Sequence, residues 1–574
     1  MQLDNYKVYW NKEKNVPRII DEEKDALLIR NKELIYLTTD LRPVFLEEKH
    51  LIKNLFALDD NIYYKSVWCS KQGRYSINGK PIKNSILKSM KEIKNIEDFR
   101  EKVLDFQKTQ EMMNAETQIL RTFVEENKER MHYLLESKDK DNDQHYIGAY
   151  PFIDEVIKKY KNRVPMISFS GGKDSTVVSH LVRKAINSQS ILHIFGDTTL
   201  ELPLTYEYIK EFQKNNPAIP FFVERNDEND FFEMCKEIGP PSRVKSWCCS
   251  IFKTGPMGTT LSNFDNDFLT FYGIRRKESA SRSKYQKVSK TPKIHGEIVN
   301  SPIIDWLDLD VWMYIISENM EFNFSYRQGF PRVGCWMCPN NSDLSQLLAK
   351  IYVNKSNCKN IKFDYNDWEK FIYDFSSKIV KNYNEVNKIN ISKEKLDKDI
   401  KYYVENSKWK ARQGGDGVEK SKHTIIRKKE CINEKNTYNL SLNRPIDDEF
   451  TTFFKPFGKL LFRNQGDSQE MFVINSNNDA IVKIIFKNGE KEIRVTIIDL
   501  KDRYLYGKII RQLNKFNGCI YCQACNSTCN FGALSVVNGK YFIDESKCVH
   551  CLNCVNRFDS GCLVASTLKI KTKE

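Results

Sequence analysis

At 574 residues the chain is long enough for three or four domains, each with an ordinary core. No apolar run reaches the length of a membrane span, and the N-terminus "MQLDNYKVYWNKEKN" lacks a signal-peptide stretch, so a cytoplasmic protein without a membrane partner is expected. The net charge of +14 comes from lysines scattered among glutamates, as in "KSMKEIKNIEDFREK", which reads as a solvated surface; nucleic acid is a partner that this charge alone does not establish.

In chain order, residues 1–85 read as a small β-rich module, from the runs "ELIYLTT" and "NIYYKSVW" and a glycine turn at "INGK". Residues 86–148 carry helical patterning with dense charge and end in the polar turn "ESKDKDNDQ". Between 149 and 345 short apolar runs alternate with helices. "VPMISF", "ILHIFGD", "PFFVER" and "FLTFYGI" read as strands, "STVVSHLVRKAI" and "LPLTYEYIKEFQK" as helices. That alternation predicts an α/β domain with a doubly wound, mostly parallel sheet. Residues 346–445 look helical and polar. Residues 446–510 return to strands ("EMFVINS", "AIVKIIF", "EIRVTIIDL"), and 511–574 form a cysteine-rich tail.

The stretch "SFSGGKDSTVVSHL" joins the first strand of the α/β region to its helix. Its glycines allow close backbone approach to an anion, at the helix end where N–H groups point outward. Ser168, Ser170 and Ser175 add hydroxyl donors and Lys173 a point charge. The spacing is not that of a Walker A loop.

Of the 16 cysteines, eight fall between 519 and 562 and four pair up at 248/249 and 335/338. In a cytosolic chain such groups read as metal ligands rather than disulfides, with zinc and iron both open. Cys69, Cys235, Cys358 and Cys431 stand alone and read as buried spectators.

The run "SGGKDS", Ser170–Ser175, resembles the PP-loop of the ATP pyrophosphatase superfamily. "GDTTLELPLTYEYI", "GIRRKESASR", "SPIIDWLDLDVWMYI" and "GFPRVGCWMCP" narrow the resemblance to the phosphoadenylylsulfate (PAPS) reductase family over roughly residues 150–345. The resemblance implies an adenine nucleotide alpha-hydrolase-like fold. It places Ser168, Ser170, Gly171, Gly172, Lys173, Asp174, Ser175, Asp197, Gly273, Arg275, Arg276, Glu278 and Ser279 around an adenine nucleotide, with Lys173, Asp174, Arg275 and Arg282 as catalytic groups.

"WCC" with "CWMC" is similar to the ligand set of iron–sulfur adenylylsulfate reductases, which implies a [4Fe–4S] cluster on Cys248, Cys249, Cys335 and Cys338. Lys253 and Pro256 of "CCSIFKTGP" also match that region. The tail, C-x2-C-x2-C-x3-C followed by C-x2-C-x2-C-x7-C, resembles a bacterial two-cluster ferredoxin. That implies one cluster on Cys519, Cys522, Cys525 and Cys562 and another on Cys529, Cys548, Cys551 and Cys554, three in all with the core one. Asn530 and Leu563 stand where proline is usual in that family, and the x7 gap is longer.

Thioredoxin-dependent members of the family attack with a cysteine in E-C-G-L-H. This chain has only "KKECINEK" around Cys431, which suggests another electron route. The leading expectation is reduction of adenylyl sulfate or PAPS to sulfite by a homo-oligomeric enzyme, fed by its own ferredoxin clusters and a redox partner. The intact S-G-G-K-D-S loop supports a second: ATP-dependent sulfur transfer to a nucleic acid or metabolite, with Asp174 or Asp197 helping to hold Mg2+. A non-catalytic electron carrier or nucleotide sensor is the third.

Overall fold

The structure is a computed structural model that describes residues 6–568, apart from positions 39, 84, 265–266, 291–293, 295, 356–361, 416–417, 419–426, 431–433, 530 and 559–560. Cys358, Cys431 and Asn530 lie outside the described residues.

The glycine-loop region is built on six strands: β1 (Val164–Ser168), β2 (Leu192–Asp197), β3 (Phe221–Arg225), β4 (Phe268–Tyr272), β5 (Val288–Ser289) and β6 (Glu297–Asn300). Their spatial order is β3-β2-β1-β4-β6-β5. Five run parallel, and the short edge strand β5 runs antiparallel to β6. Helices α1 (Lys173–Ile186) and α2 (Pro203–Asn215) follow β1 and β2. Strand order reverses between β1 and β4, which opens a crevice at their carboxyl ends, where open α/β sheets bind ligands. Ser168 is level there with Tyr272 of β4 and Ile194 of β2, so the glycine loop starts at the crevice.

Residues 6–81 form a three-stranded antiparallel sheet and a four-stranded one. At "INGK", Asn78 and Gly79 take φ of 48° and 77°, the left-handed pair a two-residue hairpin demands. A Cβ on Gly79 would meet the Trp10 ring at 2.5 Å, so this glycine also lets the two sheets touch. Only part of "NIYYKSVW" is extended. Asp60–Tyr64 is a 3-10 turn because the Asp59 side chain accepts the Asn61 N–H, and the strand begins at Val67. Val8, Trp10, Phe45 and Trp68 share one apolar core with Phe152, Ile167, Val178, Leu269 and Trp312 of the α/β region.

Residues 427–497 supply a second six-stranded sheet, antiparallel throughout. Its alternating apolar face (Met471, Val473, Val482, Ile484, Val495) covers Phe450, Phe453 and helix α3 (Leu505–Gly518). The tail lies between two cores. Cys519, Cys525, Cys529, Cys548 and Cys554 border the core of this sheet, whereas Cys522, Ala524, Cys562 and Val564 join a core that contains Trp247, Ile251, Phe252 and Trp336. No helix of the described residues is long and apolar enough to cross a membrane.

Candidate active site

Gly171 adopts φ +69° and Gly172 ends the extended approach to α1, whose first residue is Lys173. The Ser170 N–H and the Ser170 hydroxyl lie 3.1 Å from Ser175 Oγ, and Ser175 Oγ donates to Gly172 O at 2.9 Å. Gly273, just past β4, presses on this turn. A Cβ there would stand 2.6 Å from the Asp174 carbonyl carbon and 2.7 Å from Ser175 N. Gly273→Ala must displace the loop, and we expect at least about a tenfold loss of nucleotide affinity by equilibrium binding, with 1.4 kcal/mol per decade as the scale.

Behind the loop lies a buried ion network. Lys173 Nζ stands 2.9 Å from Asp174 Oδ2 and 2.8 Å from Asp308 Oδ1. Arg275 bridges the same two carboxylates at 2.5 and 2.8 Å. Both cations are nearly sealed from solvent, their side chains 4% exposed. The Tyr326 hydroxyl accepts the Lys173 N–H at 3.1 Å. Asp308, Tyr326 and Asp40, whose carboxylate accepts the Asp308 N–H at 2.9 Å, were not singled out from sequence. A signal existed in "DWLDLD": each acid takes a cation, Asp305 with Arg276, Asp308 with Lys173 and Arg275, and Asp310 with Arg130.

The carboxylates respond oppositely to pH. Burial alone would raise Asp174, but the Arg275 guanidinium and Lys173 ammonium outweigh it and hold the group well below the usual carboxylate range. Its contribution to stability is full above about pH 4 and lost as pH falls. Asp40 is pushed up to about 7 by burial and then by Asp308, against the pull of Arg275. Its ionisation therefore costs stability progressively from about pH 4 to about pH 7. Asp40→Asn keeps an acceptor for the Asp308 N–H. It is expected to raise the melting temperature at about pH 8 and change it little at about pH 4, which thermal melts at both values would check.

The other sequence candidates occupy the rim. Asp197, at the end of β2, accepts from Thr199 N (2.7 Å) and the Tyr206 hydroxyl (2.8 Å). Arg276 pairs with Asp305 and donates to Tyr285 O. Arg282 pairs with Glu278, which also accepts the Arg275 N–H, and Ser279 Oγ accepts the Arg282 N–H. Arg275, fully engaged behind the loop, and Arg282, partly open to solvent, thus stand in different surroundings.

The core cysteines flank this rim. Cys248 and Cys249 end a short helical turn anchored by Trp247, which stacks on Phe231 with centroids 5.6 Å apart. Cys335 forms a β-bridge to Glu201, Trp336 N donates to Leu200 O at 3.0 Å, and the Thr198 hydroxyl lies 3.2 Å from Cys335 Sγ. The hydrogen bond that the Cys248 thiol donates to Cys249, burial and the thiols of Cys249, Cys335 and Cys338 all push Cys248 up.

In the tail the two C-x2-C-x2-C turns share one conformation. Tyr521 and Gln523 flank Cys522 at φ 54° and 64°; His550 and Leu552 flank Cys551 at 54° and 60°. Cys522 is pushed up by burial and by Cys562, Cys525 and Cys519; Cys548 by burial and by Cys529 and Cys551. Ala533 N donates to Cys529 Sγ at 3.2 Å. Among the described residues, no three His, Cys, Asp or Glu side chains converge on a point where one ion would sit.

The phosphoadenosine phosphosulfate reductase domain matches residues 164–341. An adenosine 5'-phosphosulfate reductase of Oceanobacillus iheyensis is 30% identical over 183 residues, 31% of this chain and 73% of its own length. The chain belongs to the phosphoadenosine phosphosulfate reductase family. An uncharacterized protein of Methanocaldococcus jannaschii is 35% identical over 198 residues, 34% of this chain, and the match spans only 40% of that relative's length. A phosphoadenylyl-sulfate reductase from Candida auris, in a phosphate complex, overlaps 35% of this chain and 99% of its own at 15% identity, with a TM-score of 0.26 too low to carry weight. In this PAPS reductase family chain the glycine loop, Asp308 and all four core cysteines fall inside the matched segment; Asp40 and the eight tail cysteines fall outside it.

Proposed function

We propose that this PAPS reductase family chain reduces a sulfonucleotide, adenylyl sulfate or its 3′-phosphorylated form, and that its twelve grouped cysteines hold three [4Fe–4S] clusters that bring the electrons. Two electrons break the S–O bond, and sulfite leaves together with AMP, or with adenosine 3′,5′-bisphosphate from the 3′-phosphorylated form, without any further atom entering. The observation that carries this reading is the docking of the tail on the core cysteines. Cys522 and Cys562 share an apolar core with Trp247 and with the partly buried Cys248 and Cys335. Asn526 Nδ2 donates to Thr259 Oγ1 at 2.8 Å, and a Cβ on Gly255 would meet Gln523 O at 2.9 Å, so the two segments are in direct contact.

The donor sets, an adjacent cysteine pair with a distant C-x2-C and two C-x2-C-x2-C runs each completed by a further cysteine, are the all-thiolate kind that such clusters take. Buried thiols that push each other up need a shared cationic centre to ionise together. When bound, the clusters supply one-electron transfers. The chain's own groups do the rest. The loop N–H groups, at the positive end of the α1 dipole, and the Ser170 hydroxyl bind the phosphate, and the charge-balanced network of Lys173 and Arg275 with Asp174 and Asp308 fixes that end of α1 in place. Cys551 is exposed while Cys522 and Cys562 are buried, which supports electron entry at the outer quartet.

The test is anaerobic turnover: reduced, reconstituted protein mixed with adenylyl sulfate should release sulfite and AMP in equal amounts. No turnover with either sulfonucleotide would reject the reading. The intact Ser-Gly-Gly-Lys-Asp-Ser loop favours a second one, adenylation by ATP followed by sulfur transfer. Anaerobic equilibrium binding separates the two: tighter binding of ATP than of adenylyl sulfate, with pyrophosphate released only when an acceptor is present, would establish the second.

A further inference from the structure

Tyr541 lies on the hairpin strand Lys540–Ile543 between the two tail cysteine runs, 3% exposed, with its ring stacked on Phe453 at 4.4 Å. Its buried hydroxyl has no hydrogen-bond partner among the described residues. The groups that act on it electrostatically are the thiols of Cys554, Cys525, Cys519 and Cys529, drawn from both tail quartets. A polar hydrogen is rarely buried without an acceptor, so the position calls for one that the polypeptide does not supply.

Lys515, on α3, is 1% exposed. Its ammonium sits 5.5 Å from the Tyr541 ring centroid and donates to Cys554 O at 2.7 Å. It forms no ion pair with a carboxylate among the described residues, although its charge acts on Cys554 and Cys562, one thiol from each quartet. A buried cation held by a carbonyl and an aromatic ring is costly unless an anion faces it.

We propose that the Tyr541 hydroxyl and the Lys515 ammonium face the sulfur of the two tail clusters and set the potential at which electrons enter and cross between them. This rests on the cluster assignment above. Each one-electron reduction adds a negative charge to a buried site. A nearby cation and an O–H donor stabilise the reduced form and raise its potential. The electron comes from an external one-electron donor, for which dithionite stands in when the signals are titrated.

The experiment compares full-length wild type, Tyr541→Phe, Lys515→Met and Lys515→Arg, all reconstituted anaerobically. Iron and acid-labile sulfide are measured first, then the tail signals are titrated by electron paramagnetic resonance. Tyr541→Phe and Lys515→Met are expected to keep wild-type iron content and lower a tail midpoint potential by about tenfold in the reduction equilibrium, about 59 mV for one electron, with Lys515→Arg close to wild type. Fully loaded Tyr541→Phe and Lys515→Met with unmoved potentials would overturn this inference and leave the cluster assignment standing. Wild type without iron would overturn both. Should Lys515→Met fail to load, Tyr541→Phe, which removes a single oxygen, decides alone.

Discussion

Asp308→Ala is expected to abolish nucleotide binding and to destabilise the chain by about 3 kcal/mol, the loss typical of breaking one partner out of a buried ion pair. Asp308 accepts from both Lys173 and Arg275, and among the described residues these cations keep Asp174 as their one ion-pair partner when it is removed. Two positive charges then compete for one carboxylate in a site almost closed to water. Lys173 is the first residue of α1, so any adjustment is transmitted to the N–H groups of the loop. Asp308→Asn separates packing from charge, because it keeps the volume and removes the counter-charge. We expect it to keep the fold and still weaken adenylyl sulfate binding at least about tenfold. Denaturant unfolding and equilibrium binding check the two parts, and wild-type affinity in both variants would show that the network serves the fold alone.

The second large effect is expected from the core cysteines. Cys335→Ala combined with Cys338→Ala should remove one cluster's share of iron, leave the tail signals in place and eliminate sulfite release, while adenylyl sulfate affinity stays within about twofold of wild type. The reason for retained binding is the way this loop is held. Cys335 is fixed through its backbone, by the bridge to Glu201 and by Trp336 N on Leu200 O, and Trp336 and Met337 are buried. Alanine preserves all of these contacts. Binding lost together with turnover would place the cysteines in the nucleotide site itself rather than beside it. Loss of all iron would show that the tail clusters depend on the core one.

Much of this was legible in the chain. The strands "VPMISF", "ILHIFGD", "PFFVER" and "FLTFYGI" are extended where apolar run length and flanking breakers predict, and the loop after the first of them opens a helix at Lys173. The turn at Asn78–Gly79 is likewise local chemistry, since these two residues tolerate positive φ. Of "NIYYKSVW", cited for a β-rich module, only the end is extended, because the Asp59 cap first turns the backbone into a 3-10 turn. Arg275 was picked out as a group that would grip substrate, but its guanidinium is taken up by Asp174 and Asp308. Spacing reports which residues lie near each other along the chain and not which partner saturates them.

Periodicity, turn chemistry and ligand spacing act over a few residues, so the parallel α/β layout, the glycine loop and the grouping of cysteines can be read along the chain. The fold alone brings Asp40 to Asp308 across 268 positions, sets the Lys515 ammonium over the Tyr541 ring and packs the tail into the core that holds Trp247. Those pairings come from burying apolar surface in shared cores and from the cost of leaving buried charge unmatched. Both depend on which distant segments meet, and no local pattern carries that information.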